Sequence, residues 1–277
     1  MMNNFYDLHM HSNKSDGGSS PTEVVALSGQ RGLKAIALTD HDTVSGVREA
    51  IEAGKRFGVQ VLPGVELSTT YEGEEVHILG YGVPFEDKSF LSFLDYLKEM
   101  REERNRVILK RLASNGVNLN YEDIKADAEN VVVGRYQIAK AMAEKGFCRS
   151  VAEAFDRFLG VGQPCFVSVL RIPTADAVSK LKEIGAFASL AHPSNFLRKG
   201  TIDELLDKLV PLGLDGMECY YHSHSEKDRA SLKEIAIKRK LHATGGSDFH
   251  DSGHGGLPGS GYVILEEDTK KRLGIAL

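Results

Sequence analysis

Six of the ten histidines in this 277-residue chain stand in or just beyond short, strand-like apolar runs, and this placement constrains the fold more than any other feature. The run FYDLHM carries His9 and leads to His11, KAIALT stops at Asp40-His41-Asp42, and EVHILGY carries His77. AFASLA runs into His192-Pro193, and HATGGS leads to Asp248-Phe249-His250. The run VQVLPGV stops at Glu66. Alternate residues of a strand share a face, so His9 and His11 point one way while Leu8 and Met10 point the other. An HxH pair alone is a weak motif. Six such histidines together with Glu66 and Asp248 match what an α/β barrel delivers, because the C-terminal ends of its strands bring side chains to one point.

The rest of the pattern agrees with a barrel. Candidate strands are Phe5–Met10, Lys34–Thr39, Val59–Leu62, Val76–Tyr81, Phe187–Ala191, Gly216–Tyr220, His242–Gly245 and Tyr262–Leu265. Helical patterns lie between most of them. Ser20-Pro21-Thr22-Glu23 offers an N-cap, a proline at the first helical position and a capping-box glutamate. Thr201 with Glu204, and more loosely Ser225 with Asp228, repeat the box. Gly58, Gly146 and Gly185 fall where helices should stop. Strands alternating with helices imply a mostly parallel sheet, and seven or eight of them suit a closed or nearly closed α/β barrel. From Lys88 to Gly162 the pattern is almost purely helical. We read residues 88–162 as a helical insertion, and 1–87 with 163–277 as the barrel. Within the insertion, MREERNRVILKR mixes bases, acids and apolar residues at helical spacing and reads as a solvated amphipathic helix, with a substrate-facing basic edge as the alternative.

The net charge of −5 argues against broad coating of nucleic acid, which needs a basic face. A phosphate ligand stays open, because bound cations can supply positive charge. No apolar run approaches the ~20 residues of a membrane span. The acidic, histidine-rich start argues against a secretory signal peptide. Cys148, Cys165 and Cys219 are odd in number and form no CxxC, so they read as packing residues in a reducing cytoplasm.

A structural zinc site would use cysteine, whereas imidazoles mixed with carboxylates suit Mn, Fe or Zn in an open catalytic site. So many ligands exceed one ion's need and imply two or three adjacent divalent ions, an arrangement that clamps attacking and leaving oxygens in phosphoryl displacement. The motifs DLHMHSNKSDG, LTDHDTVSG, LPGVELS, EVHILGYG, LAHP and GSDFH, from Asp7 to His250, resemble the polymerase and histidinol phosphatase (PHP) superfamily. They are most similar to its stand-alone branch acting on nucleoside 3′,5′-bisphosphates and the 5′ ends of short RNA. The resemblance implies a distorted (βα)₇ barrel with a helical insertion. It implies that His9, His11, Glu66 and Asp248 hold a first ion, Asp16, His41 and His250 a second, and Glu66, His77 and His192 a third, with Glu66 bridging. Asp16 also reads as part of a plain turn, SDGG.

Glu66, Asp248 and Asp40 are the expected catalytic residues, Asp40 by orienting an imidazole. Helix capping is the competing role for Asp42. Arg135, at a helix start in the insertion, resembles a family position that meets substrate phosphate. His222, His224 and Ser225 are the remaining substrate candidates, and Gln137 stands where the branch would have histidine. His242 and His254 read as structural or exposed. The expected activity is hydrolysis of a phosphate ester of a nucleotide or a short single-stranded RNA end by a metal-activated hydroxide, without duplex nucleic acid or membrane as partner. A histidinol-phosphate-type phosphomonoesterase, a processive exonuclease and a non-enzymatic metal-binding regulatory module are the alternatives.

Overall fold

The computed structural model describes residues 5–125, 133–167, 171–251, 255–261 and 263–275, so the expectation for His254 and the start of a strand at Tyr262 lie outside the described residues. The chain opens with β1 (Tyr6–Met10), α1 (Pro21–Gln30), β2 (Ala35–Leu38), α2 (Val47–Phe57), β3 (Gln60–Tyr71) and β4 (Glu74–Tyr81). Helices follow: α3 (Lys88–Ser114), α4 (Tyr121–Lys125), α5 (Arg135–Glu144) and α6 (Val151–Ala154), the last running into a π-helical turn. Alternation resumes with β5 (Ile172–Pro173), α7 (Thr174–Glu183), β6 (Phe187–Leu190), α8 (Ser194–Lys199) and α9 (Ile202–Leu209). The chain then passes through β7 (Gly216–Tyr221), α10 (Glu226–Arg239), β8 (His242–Gly246) and α11 (Glu267–Leu273).

The strands form one sheet in the order β1-β2-β3-β4-β6-β7-β8, with the short β5 paired beside β3. Its two ends meet. Met10 bridges Phe249 in parallel, and the Asp248 N–H donates to the His9 carbonyl at 2.8 Å. Gly246 makes this approach possible, since a Cβ there would stand 2.3 Å from the Cβ of His9. The result is the nearly closed α/β barrel that the strand pattern implies.

Two strands depart from expectation. β3 does not stop at Leu62 but continues to Tyr71, so Glu66 lies within a strand rather than at its end. The Pro63-Gly64 pair sits where the ladder changes partner. Leu38 pairs in parallel with Pro63, and antiparallel pairing to β4 begins at Gly64 with Tyr81. Glu72 and Gly73, both at positive φ, then close a two-residue hairpin, which makes β4 antiparallel to both neighbours. The other long-strand pairings are parallel. Among the described residues near the C-terminus no strand forms, and Val263 makes an isolated bridge to Tyr6.

Helix starts follow the sequence signals with one exception. Ser20 and Ser225 form complete capping boxes, but the Thr201 side chain makes no cap bond, because its backbone has left the extended conformation (φ −103°, ψ 5°) that aims a capping hydroxyl. In β4, Val76 and Ile78 belong to the main core with residues of α7, α9 and α10. On the alternate face, Leu79 and Tyr81 pack with Phe187 in a second cluster, and His77 shares that face. The helices between β4 and β5 have a core of their own, which includes Ile108, Leu112, Ile138, Met142 and Phe158 and runs on to Val167. Helix α3 serves both, with Phe90, Leu94 and Leu97 in the barrel core and Ile108 and Leu112 in the second. Among the described residues, no helix is long and apolar enough to cross a membrane.

Candidate metal centre

Glu66 is fully buried, and five imidazoles surround its carboxylate. Its Oε2 lies 3.2 Å from His9 Nε2, His11 Nε2 and His41 Nδ1, and its Oε1 lies 2.8 Å from His77 Nδ1 and 3.2 Å from His192 Nε2. Asp248 Oδ1 faces the same two nitrogens of His9 and His11 at 3.2 and 3.0 Å. His250 Nε2 stands 3.2 Å from Asp16 Oδ1, and His41 Nε2 3.6 Å from Asp16 Oδ2. All nine residues singled out as ligand candidates thus meet in one place. Three sets have mutually close donor atoms: His9, His11, Glu66 and Asp248; His11, Asp16, His41 and His250; and His41, Glu66 and His77. The expected third set differs in naming His192, whose ring pairs with Glu66 alone among the carboxylates of the described residues.

Glu66 Oε1 is hydrogen-bonded to the rings of His77 and His192, but the contacts around Glu66 Oε2 are close without being hydrogen bonds. His9 Nε2, both ring nitrogens of His11 and Glu66 Oε2 are buried and make no hydrogen bond. Burying polar atoms in this way is costly unless something else satisfies them. Ligand atoms about 2.1 Å from a shared ion lie roughly 3.0 Å apart at right angles and roughly 3.4 Å apart in a tetrahedron. The observed spacings of 3.0 to 3.2 Å fit that geometry. The residues present therefore suit divalent metal ions.

A surrounding layer of partners holds the cluster in place. Glu218, buried in β7, takes both carboxylate oxygens to 3.2 Å from His9 Nδ1 and accepts the His192 N–H at 2.8 Å. That leaves His9 Nε2 as the free ligand atom. Glu75 Oε1 bonds His77 Nε2 at 2.9 Å, and the Tyr221 hydroxyl donates to Asp248 Oδ2 at 2.8 Å. Our sequence reading missed all three. Two carried signals: Glu75 shares a strand face with His77, and Glu218 is a lone acid in an otherwise apolar strand. Asp40 was expected to orient an imidazole, but its carboxylate instead accepts hydrogen bonds from Ser12 N–H, Ser12 Oγ and Ser15 Oγ. The short serine donors of the loop before Asp16 reach it, so Asp40 anchors that loop. Asp42 caps no helix and pairs with Arg101 while accepting the Ser68 N–H. Asp42, His192 and Asp248 all have positive φ, a strain that clusters at functional sites.

Charge follows from this crowding. Burial disfavours a proton on His11, but Asp248 and Glu66 outweigh it and push its pKa up to about 10. Burial acts likewise on His77, and Glu66 and Glu75 raise it to about 9. Burial dominates at His41 and, helped by His11 and His77, brings it down to about 3. Burial would raise Glu66 and Asp248, yet the histidines hold both well below the usual carboxylate range.

The cluster opens into a cavity of about 300 Å³, whose lining includes Arg101, Arg104, Arg135 and Arg171. Arg135 occupies the first position of α5, as expected, but its guanidinium is engaged by Glu75 at 2.6 Å and lies over Phe166. Gln137 accepts the Gly134 N–H and donates to the Ser15 carbonyl, tying α5 to the loop that carries Asp16. The other substrate candidates fare differently. Ser225 is exposed and its hydroxyl is committed to Asp228 in the cap of α10, so it is not part of the cavity wall. His222 and His224 pack on the Tyr221 ring, which itself lines the cavity, and neither of them does. His224 Nδ1 lies 3.3 Å from the Cys219 carbonyl. His242 bonds Thr269 at the base of β8 and is structural. The three cysteines are buried and unpaired.

Comparison with known proteins agrees with this geometry. The PHP domain family matches residues 7–209. A 5′-3′ exoribonuclease from Haemophilus influenzae is 34% identical over 88% of this chain and 89% of its own length. A 3′,5′-nucleoside bisphosphate phosphatase from Chromobacterium violaceum is 32% identical over 90% and 88%. A phosphoribosyl 1,2-cyclic phosphate 1,2-diphosphodiesterase from Eggerthella lenta is 32% identical over 93% and 98%. Among solved structures, one from Bifidobacterium adolescentis, classed as a metal-dependent phosphoesterase, superposes with a TM-score of 0.87 at 27% identity, covering 98% of this chain and 96% of its own. With the family match spanning most of the barrel and the relatives nearly the whole chain, this protein belongs to the PHP family of metal-dependent phosphoesterases, hydrolases of phosphoric ester bonds.

Proposed function

We propose that this enzyme hydrolyses a phosphate ester on a ribose that carries a second phosphate, with nucleoside 3′,5′-bisphosphates and the 5′ ends of short RNA as substrates. The observation that carries this reading is the single cavity lined by both the histidine–carboxylate cluster and four arginines. The names of two relatives, a nucleoside bisphosphate phosphatase and a phosphoribosyl cyclic phosphate diesterase, each describe a ribose phosphorylated at two places.

In this reading His9, His11, Glu66 and Asp248 hold one ion, and Asp16, His41 and His250 a second with His11 in reach. Glu66, His77 and His192 hold a third beside His41. Mn, Zn or Fe suits such donors. Divalent ions held there supply charge to the phosphoryl oxygens and a nucleophile at neutral pH. The protein's part is to hold and orient. Glu66 offsets the charge of neighbouring cations and gathers five imidazoles. Glu218 and Glu75 fix the rings of His9 and His77, and Tyr221 fixes the Asp248 carboxylate. Asp40 pins the loop of Asp16 through two serines. Arginines from the insertion meet phosphate oxygens, since guanidinium binds them in pairs. Cytoplasm suits its unpaired cysteines.

A turnover screen with Mn tests this, read as inorganic phosphate from the mono- and bisphosphates and as mononucleotide released from the oligonucleotide. Adenosine 3′,5′-bisphosphate and a 5′-phosphorylated trinucleotide should exceed adenosine 3′- and 5′-monophosphate and histidinol phosphate by at least ~10-fold in kcat/KM, the worth of one charged hydrogen bond. Equal or better turnover of the monophosphates overturns the proposal. The Eggerthella lenta relative supports a second reading, cleavage of a cyclic phosphodiester on a phosphorylated ribose. Ring opening without release of phosphate identifies it.

A further inference from the structure

Helix α3 buries a positive charge that no carboxylate among the described residues pairs with. Arg104 is 2% exposed and among the largest fully buried side chains. Its Nη2 donates to Asn105 Oδ1 at 3.2 Å, its Nε has no partner, and among the described residues no carboxylate pairs with it. The neighbouring arginines are accounted for. Arg101 is held by Asp42 and by the Ser68 hydroxyl, while Arg135 and Arg171 share Glu75. Four guanidiniums therefore face two carboxylates. An unpaired buried cation is costly, and an apolar residue of similar length would pack there at lower cost. Apart from Arg101 and Asn105, both with partners, α3 fills its other buried positions with apolar residues, Phe90, Leu94, Leu97, Ile108 and Leu112. Yet Arg104 lines the same cavity as the histidine cluster.

We infer that Arg104 is the seat of an anion brought by the substrate, a phosphate group other than the one being hydrolysed. The anion's identity as substrate phosphate rests on the function proposed above, whereas the uncompensated charge does not. On binding, the guanidinium exchanges isolation for a charge-assisted, paired contact, so the site selects substrates by their second phosphate.

Two measurements on the Mn-loaded enzyme test this with Arg104→Met, which keeps the length and removes the charge. The first is kcat/KM. The variant should lose roughly 30- to 150-fold on adenosine 3′,5′-bisphosphate, mostly through KM, but at most a few-fold on p-nitrophenyl phosphate, with Arg104→Lys in between. The second is thermal melting with added sulfate. Without sulfate the variant should melt at least ~2 °C above the wild type, since an uncompensated charge is gone. Sulfate should raise the wild-type melting temperature more than the variant's. Equal losses on both substrates, no loss on either, or an Arg104→Met protein that melts lower or fails to fold would each overturn the inference. If the wild type prefers no two-phosphate substrate while the melting result holds, the proposed function fails and the anion site stands.

Discussion

The barrel and the insertion face the same cavity with opposite chemistry. The barrel contributes imidazoles and carboxylates from strand ends and from β3, buried and braced by Glu218, Glu75 and Tyr221. The insertion contributes guanidiniums from helices α3 and α5, joined by Arg171 just before β5. Strands fix their side chains through neighbours on both sides, so they suit a cluster whose atoms must converge within a few tenths of an ångström. Helices present long cationic side chains that reach into a cavity and meet a ligand. On the function proposed above, catalysis falls to the barrel and substrate choice to the insertion. Glu75 is the joint, a barrel carboxylate that bonds His77 on one side and Arg135 and Arg171 on the other.

The largest expected effect lies at the centre of the barrel face. Glu66→Gln should fold, because the amide matches the carboxylate in shape, but it loses the charge shared by five imidazoles. Loss of activity on the order of 10³-fold in kcat is expected, with a reduced metal content by elemental analysis. A variant that binds its full metal complement and turns over normally would remove Glu66 from the centre of the site.

The joint should give the next largest effect. Glu75→Gln removes the carboxylate that orients His77 and the shared counter-charge of two arginines. Loss of such an orienting partner weakens metal affinity by about 10- to 100-fold. If only substrate KM changes and metal affinity does not, Glu75 belongs to the insertion's function alone.

Protons sharpen the same division. In the metal-free protein the pKa of His11 is pushed up to about 10 and that of His77 to about 9, so both carry protons at neutral pH. Metal must displace those protons, and its affinity should rise with pH and fall as pH falls below 9, about tenfold per unit for each proton released. His41, brought down to about 3, releases none in this range. Mn titrations at pH 6, 7 and 8 measure the slope, and a flat profile would mean that these imidazoles are not ligands.

The two faces also differ in how far the sequence reveals them. Histidines after apolar runs are legible because strand ends are fixed by the runs themselves, and a barrel brings strand ends together. Glu66 is legible by type, but its place within β3 is not, since Pro63-Gly64 imitates a turn where the ladder only changes partner. The run containing Arg101 and Arg104 reads as solvated because charged residues are usually exposed. In the structure Arg101, Arg104, Asn105, Ile108 and Leu112 are buried together at helical spacing, so this face of the helix is covered rather than solvated. Which face of a helix is covered depends on what packs against it, and that partner is distant in sequence. Glu218 is hidden for the same reason, since its partner His9 lies 209 residues away.

Arg135 separates the two readings of the insertion most finely. By sequence it is the natural phosphate contact, at a helix start beside the site. In the structure its charge is already met by Glu75, and Phe166 covers its guanidinium, whereas Arg104 pairs with no carboxylate among the described residues. A phosphate approaching Arg135 must compete with a carboxylate 2.6 Å away. Removing Arg135 leaves Glu75 paired with Arg171 at 2.6 Å, so the joint survives. The gain from a contact that replaces an existing ion pair is the difference between two similar interactions. Arg135→Ala should therefore cost only about 3- to 10-fold in kcat/KM on adenosine 3′,5′-bisphosphate, less than Arg104→Met on the same substrate. The reverse order, with Arg135→Ala the more damaging on bisphosphate and harmless on p-nitrophenyl phosphate, would move the second phosphate from α3 to α5 and mean that Glu75 releases Arg135 when substrate binds.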